Sequence, residues 1–230
     1  MSHNFDSRSM PPGRTGRSAS RISCIFVDIG GVLLTNGWDR LARRRAARNF
    51  QLDGRDMDER HQLVAATYEE GKLTLEEYLE RVIFHQPRSF TRMQFRNYMF
   101  AQSTLLPGMI PLLTRIKARH GLKIAVVSNE GRELNAKRIA TFRLDSMADF
   151  FVSSCFIGMR KPDVDVFRLA LNLAQVPAEK VLFIENTPLF LQVAGDLGIR
   201  GILHTSLANT RTQLDAYGLQ DPAETHRVDV

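Results

Sequence analysis

The stretch Ile25-Phe26-Val27-Asp28-Ile29-Gly30-Gly31-Val32-Leu33-Leu34 narrows what this chain can fold into more than any other. An apolar run ends in a single carboxylate, Asp28, and two glycines follow at once. A strand that carries an acid to the edge of a sheet and then turns through glycines suits the handling of phosphate and metal ions. Two residues after Asp28, where a second acid would help such chemistry, the chain has Gly30.

Five apolar runs of strand length recur, at residues 22–28, 123–128, 149–154, 181–185 and 201–204. Most do not alternate with period two, so they read as strands buried on both faces, hence as a mostly parallel sheet. Helical patterns separate them. Residues 109–120 stop at Gly121, and residues 164–175 carry a broad apolar face after Lys161-Pro162-Asp163. Residues 188–197 open on Pro188 and close at Gly198, the expected asymmetry of helix ends. Alternating strands and helices predict an open, doubly wound α/β layer structure, with ligands at the carboxyl ends of the strands.

A chain of 230 residues has room for one core and a small accessory unit. The accessory unit falls at residues 36–102, between the first two strands. Its helical segments are 39–49, 57–70, 74–84 and 91–101. Thr74-x-x-Glu77 and Thr91-x-x-Gln94 fit the capping box, in which two orphan N–H groups are satisfied reciprocally. Placed just after the Asp28 loop, such a unit is expected to cover the strand ends, exclude water and select substrate.

Composition excludes more than it identifies. Hydrophobic content of 43% and charged content of 24% are ordinary. No apolar run approaches the roughly 20 residues of a membrane helix, so no membrane partner is expected. The net charge of +6 is partly local: Arg8, Arg14, Arg17 and Arg21 lie near the N-terminus, and Arg40, Arg43, Arg44, Arg45 and Arg48 cluster on one segment. Without interleaved aromatics these read as a solvated tail and a solvated helix face, not a nucleic-acid surface. Cys24 and Cys155 fall in strand-like segments and read as buried, reduced thiols of a cytoplasmic protein. Residues 1–20, rich in Ser, Arg, Gly and Pro, lack the apolar core of a secretory signal and read as a disordered extension.

Four signals occur in chain order, each at the end of an expected strand or the start of the next helix. They are Asp28 in Val27-Asp28-Ile29-Gly30-Gly31, Ser128 in Val127-Ser128-Asn129, Lys161 in Arg160-Lys161-Pro162-Asp163, and Glu185 in Ile184-Glu185-Asn186. Singly each is commonplace. Together with the helical insertion they resemble the haloacid dehalogenase-like hydrolase superfamily over about residues 22–205. The subgroup resembled is the helical-cap (C1-type) one, with glycine replacing the second acid of the first motif. The resemblance implies a three-layer α/β/α Rossmann-like core (21–35 and 103–230) with an inserted helical cap (36–102).

Phosphoryl transfer needs an in-line nucleophile and positive charge around the phosphoryl oxygens. By resemblance Asp28 is the nucleophile, forming an aspartyl-phosphate. Ser128, Asn129 and Gly31 hold the phosphoryl oxygens, and Lys161 pairs with Asp28 and the phosphoryl group. Mg²⁺, a hard cation, is taken by Asp28, the Gly30 carbonyl and Glu185. Two departures stand out. Gly30 removes the usual general acid/base, a loss of roughly 10²–10⁴ in rate. Glu185-Asn186 stands where paired aspartates are usual, and Glu185 is one methylene longer.

The leading expectation is a Mg²⁺-dependent phosphatase acting on a small phosphorylated metabolite, as monomer or homodimer. Substrates with good leaving groups would need acid catalysis least. A 2-haloacid dehalogenase would use the same Asp28 on carbon, without metal, and would leave Glu185-Asn186 unexplained. A ligand-binding protein on a degenerate scaffold is the third reading. Glu130 is the nearest acid in sequence that could replace the missing one, and Arg132 could reach the site entrance. Trp38 fits either a substrate contact or packing. His85, His120 and His204 show no zinc spacing, and Met93, Phe95, Met99 and Phe100 read as helix core.

Overall fold

The computed structural model describes residues 21–223; the expected disordered extension, residues 1–20, lies outside them. Five strands, β1 (Cys24–Val27), β2 (Lys123–Ser128), β3 (Phe150–Ser153), β4 (Val181–Glu185) and β5 (Arg200–Leu203), form one parallel sheet in the order β3-β2-β1-β4-β5. The helices are α1 (Arg40–Asn49), α2 (Gly54–Glu69), α3 (Leu75–Val82), α4 (Arg92–Ala101), α5 (Met109–His120), α6 (Arg132–Phe142), α7 (Ser154–Ile157), α8 (Val164–Ala174), α9 (Pro188–Asp196) and α10 (Leu207–Ala216).

The apolar runs fail to alternate because the sheet is covered twice. Ile25, Val27, Ile124, Val126, Leu182 and Ile184 face one cluster, shared with Leu112 and Ile116 of α5 and Leu214 of α10. Their neighbours Cys24, Phe26, Ala125, Val127, Val181 and Phe183 face the opposite cluster, shared with Phe167 and Ala170 of α8 and Ala194 of α9. Every side chain of β1 is therefore fully buried, each large apolar one contributing about 1.5–3 kcal/mol.

Register places the chemistry. Val27 lies opposite Val126 on one side and Ile184 on the other. Asp28, Ser128 and Glu185 therefore leave the sheet at one edge, where the chain runs from β1 to neighbours on both sides. That edge is the switch point at which open α/β sheets bind ligands.

Helices α1–α4 form a lobe with its own apolar cluster, including Trp38, Ala42, Met57, Tyr78, Phe95 and Met99. Both expected capping boxes form, at Thr74 with Glu77 and at Thr91 with Gln94. Helix α2 starts at Gly54, ahead of the expected residue 57, because the Asp53 side chain accepts from Arg55 N and Asp56 N. Two expectations need correction. Arg43 is buried, donating from Nε to Asp58 (3.0 Å) and from Nη1 to the Trp38 carbonyl (3.0 Å), whereas Arg40, Arg44, Arg45 and Arg48 are exposed. Met93 is 62% exposed, because the buried face of α4 is Phe95 and Met99, one turn apart, with Phe100 packed partly buried against the same cluster.

Lobe and sheet domain meet at Tyr68 and Gly131. A Cβ on Gly131 would fall 2.0 Å from Tyr68 Cζ, so only glycine admits the ring there. Cys155 lies in α7, just past the strand it was expected to occupy. Cys24 and Cys155 are both buried and free. Among the described residues no helix is long and apolar enough to cross a membrane.

Candidate active site

Three charged side chains meet at the sheet edge. Lys161 Nζ lies 3.0 Å from Asp28 Oδ1 and 2.6 Å from Glu185 Oε2. Lys161 is 1% exposed, Glu185 fully buried and Asp28 9% exposed. Burial would push the ammonium's pKa down, but Asp28 and Glu185 outweigh it and hold it above the ordinary lysine value. Burial, reinforced by the Asp28 charge, holds the Glu185 carboxyl above its ordinary value. Glu185 Oε1 accepts from the backbone N–H groups of Asn186 (2.9 Å) and Thr187 (3.0 Å) at the start of α9.

Lys161 is held from behind. Its backbone N–H donates to Asn129 Oδ1 and its carbonyl accepts from Asn129 Nδ2, both at 2.8 Å, across a cis Lys161–Pro162 bond. The Asn129 amide is thus committed to the Lys161 backbone. Ser128 Oγ is buried and has no hydrogen-bond partner. An orphaned hydroxyl is destabilising unless a ligand completes it.

Gly31 has φ +74°, and a Cβ there would lie 2.1 Å from the Asn186 amide. Glycine at 31 thus makes room for Asn186. With its nitrogen inward, Asn186 donates to Glu185 Oε1 (2.8 Å) and to the Gly30 carbonyl (3.2 Å). With its oxygen inward, three oxygens converge there, an arrangement a cation reconciles. Among the described residues no three His, Cys, Asp or Glu side chains gather as a metal cluster. The available set is two carboxylates, a carbonyl and an amide oxygen, and such hard donors fit Mg²⁺.

Two cavities adjoin here. One of about 210 Å³ is lined by Asp28, Gly30, Lys161 and Asn186. The other, about 280 Å³, is lined by Trp38, His61, Tyr68 and Glu130. They share Asn36, Glu69 and Asn129. A cleft of about 570 Å³ beside the arginines of α1 shares no residue with either.

Other residues at the site were not visible in sequence. Glu69, at the end of α2, accepts from Arg160 Nε at 2.8 Å, and burial raises its pKa. Arg138 of α6 is 1% exposed. It pairs with Glu130 through Nη1 and donates from Nε to Ser103 Oγ (2.9 Å) and from Nη2 to the Thr35 carbonyl (2.8 Å). Arg132 instead turns to the Cys155 carbonyl (2.9 Å) and the Phe156 ring. Of the scattered histidines, His85 faces Asp56, His120 the Gln220 carbonyl and His204 the Thr210 hydroxyl.

Trp38 both packs, edge-on to Phe95, and lines the second cavity. Its Nε1 can only donate, and it does so to Tyr78 Oη at 2.8 Å. The Tyr78 hydroxyl also lies within hydrogen-bond distance of His61 Nδ1, at 2.8 Å. Burial pushes the His61 pKa from 6.5 down to about 4. An imidazole depressed in the folded state stabilises the fold above its unfolded pKa and loses that contribution as pH falls. Urea unfolding should therefore lose roughly 3 kcal/mol between pH 6.5 and pH 4 on account of His61. His61→Asn should remove that share; parallel losses in both proteins would contradict the assignment.

The family model for haloacid dehalogenase-like hydrolases matches residues 22–189. PpaX of Caldanaerobacter subterraneus subsp. tengcongensis, provisionally named a pyrophosphatase, is 32% identical over 91 residues, 40% of this chain and 41% of that one. The chain spans less than half the length of the curated relatives it matches. Among solved structures, a HAD family enzyme of Bacteroides thetaiotaomicron, bt-2542, superposes with TM-score 0.70 at 20% identity, over 81% of this chain and 95% of that one. The same enzyme has been crystallised with magnesium and inorganic phosphate. A dehalogenase superposes with TM-score 0.58 at 18% identity, over 79% of this chain and 84% of that one.

Proposed function

Because the chain belongs to the haloacid dehalogenase-like hydrolases, we propose that it is a Mg²⁺-dependent phosphatase of small phosphorylated metabolites, with Asp28 as nucleophile. The observation that carries this reading is the buried Lys161 ammonium between Asp28 and Glu185, beside the unpartnered Ser128 Oγ. A phosphoryl group between them would complete the Ser128 hydrogen bond and meet the Lys161 charge.

The residues divide the work as follows. Lys161 offsets the repulsion between Asp28 and an anionic substrate, and its two Asn129 bonds keep it in place. Asp28 attacks phosphorus, and an aspartyl-phosphate splits one hard step into two. Asp28, the Gly30 carbonyl and Glu185, with Asn186 beside them, would hold Mg²⁺, which neutralises phosphoryl charge when bound. Gly31 shapes this corner by admitting Asn186. The α1–α4 lobe acts as a cap, and the 280 Å³ cavity beneath it takes the leaving group. Burial raises the thiols of Cys24 and Cys155 to about 12 and about 11, and such protonated, inert thiols fit a cytoplasmic protein.

One observation favours the haloacid reading. Both Glu185 oxygens are engaged, by Lys161 and two backbone N–H groups, as a metal-free site would have them. The two are separated by phosphate release from a panel of phosphate monoesters with Mg²⁺ and with EDTA. Turnover that EDTA abolishes is expected. Halide release from 2-haloacids that persists in EDTA would select the dehalogenase instead.

A further inference from the structure

We infer that Glu130 is the general acid and base of this site, reaching from the loop after β2 into the space that a side chain at position 30 would otherwise occupy. The inference rests on the phosphatase reading above and supplies the proton donor that Gly30 lacks.

The geometry turns on Arg138. A Cβ built on Gly30 points at Asn36 Oδ1, 3.3 Å away, and lies 3.9 Å from Arg138 Nη1. That same Nη1 is the atom Glu130 pairs with. A carboxylate carried by residue 30 would thus meet the guanidinium that now holds Glu130. A carboxyl at position 30 and the Glu130 carboxyl would share one guanidinium, the latter delivered from the loop after β2. Glu130 is 5% exposed and lines the cavity that adjoins Asp28's through Asn36, Glu69 and Asn129. Its backbone is pinned too, N–H to Ser154 Oγ at 2.9 Å.

The surroundings leave Glu130 able to carry a proton. Burial raises its pKa, Arg138 from α6 draws it down, and the charges of Asp28, just past β1, and Glu69 on α2 raise it again. The Glu130 charge is felt in turn by Tyr68 of α2 and Cys155 of α7. Burial prevails, and the carboxyl is pushed up to about 7. A group balanced near working pH serves both directions of proton transfer. Glu69 is the rival carboxyl, but it is partly exposed, and Arg160 grips it with Nε and Nη2, both at 2.8 Å.

The steps balance. As Asp28 forms its bond to phosphorus, the bond to the leaving oxygen breaks, and that oxygen takes the Glu130 proton and departs as an alcohol. Water then attacks phosphorus and gives one proton to the Glu130 carboxylate. The Asp28–phosphorus bond breaks, releasing inorganic phosphate, free Asp28 and protonated Glu130.

The test compares wild type, Glu130→Gln, Glu69→Gln and Glu130→Gln combined with Gly30→Asp, on glycerol 2-phosphate and 4-nitrophenyl phosphate with Mg²⁺. Glutamine can still accept from Arg138, and thermal melts report whether each variant folds. With glycerol 2-phosphate, Glu130→Gln should lose about 10²–10⁴ in kcat and Glu69→Gln far less. With 4-nitrophenyl phosphate, whose leaving group needs little acid, Glu130→Gln should give a burst of nitrophenol and then stall. Gly30→Asp should restore at least about tenfold, because position 30 needs no positive φ. A structural defect would not be rescued in this way. Glu130→Gln within about threefold of wild type, or a loss equal on both substrates without rescue, would overturn the assignment while leaving the phosphatase reading intact. No phosphate release by wild type on either substrate would overturn both.

Discussion

Asp28→Asn should release phosphate at least about 10⁴-fold more slowly than wild type, the scale on which loss of a nucleophile is felt, and should melt no lower. The two halves of that result have one cause. Asparagine removes the attacking oxygen anion, so no aspartyl-phosphate forms. It also removes a negative charge that acts on Glu185 and Glu130, while Lys161 keeps Glu185 as its partner at 2.6 Å. Relief of carboxylate repulsion offsets the lost Asp28–Lys161 contact. A melting temperature that falls by many degrees would mean that Asp28 holds the fold together. A rate within tenfold of wild type would remove it as nucleophile.

Lys161→Met should not separate the two properties but lose both. Lys161 is 1% exposed, with its ammonium near the Phe183 and Phe190 rings as well as the two acids. Methionine fills much of the volume but leaves Asp28 and Glu185 without a counter-charge. Breaking a buried pair from one side typically costs about 3–5 kcal/mol, and turnover should fall below detection. Replacing both partners is a different matter, because an apolar pair of similar volume is often neutral. Lys161→Met with Glu185→Met should therefore recover much of the lost stability while staying inactive. Denaturant titration of the three proteins checks this; equal stability of the single and double variants would refute it.

The sheet was legible because its signal is local. Residues 123–128 and 181–185 form strands with those bounds, since six and five consecutive mostly apolar residues can be buried only between two layers. Asp28, Ser128, Lys161 and Glu185 were legible for a related reason. Each sits at a strand end or helix start, and a parallel sheet brings such ends to one edge. Helix α6 was not legible, because its buried face is Leu134, Asn135 and Arg138, two of them polar, so hydrophobic periodicity vanishes. Arg160 with Glu69, and Arg138 with Thr35, join residues 91 and 103 positions apart. No spacing rule reaches that far. The buried role of Arg43 was hidden among its exposed neighbours for want of any local mark.

The chain enters and leaves the α1–α4 lobe along paired backbones. Leu34 bridges Leu105 antiparallel, Thr35 N–H donates to the Thr104 carbonyl at 2.9 Å, and Leu106 N–H to the Leu33 carbonyl at 3.0 Å. From below, everything between these crossings is the tip of one hairpin. Closing a loop grows harder only slowly with its length, by about 0.6 kcal/mol per doubling. The sheet is therefore nearly indifferent to how much chain is grafted at that point. A lineage could exchange one lobe for another of different size, and with it the molecules admitted, without renegotiating the strands beneath. What any graft must preserve is narrow: a carbonyl and a hydroxyl, one on each crossing, for Arg138 to grasp.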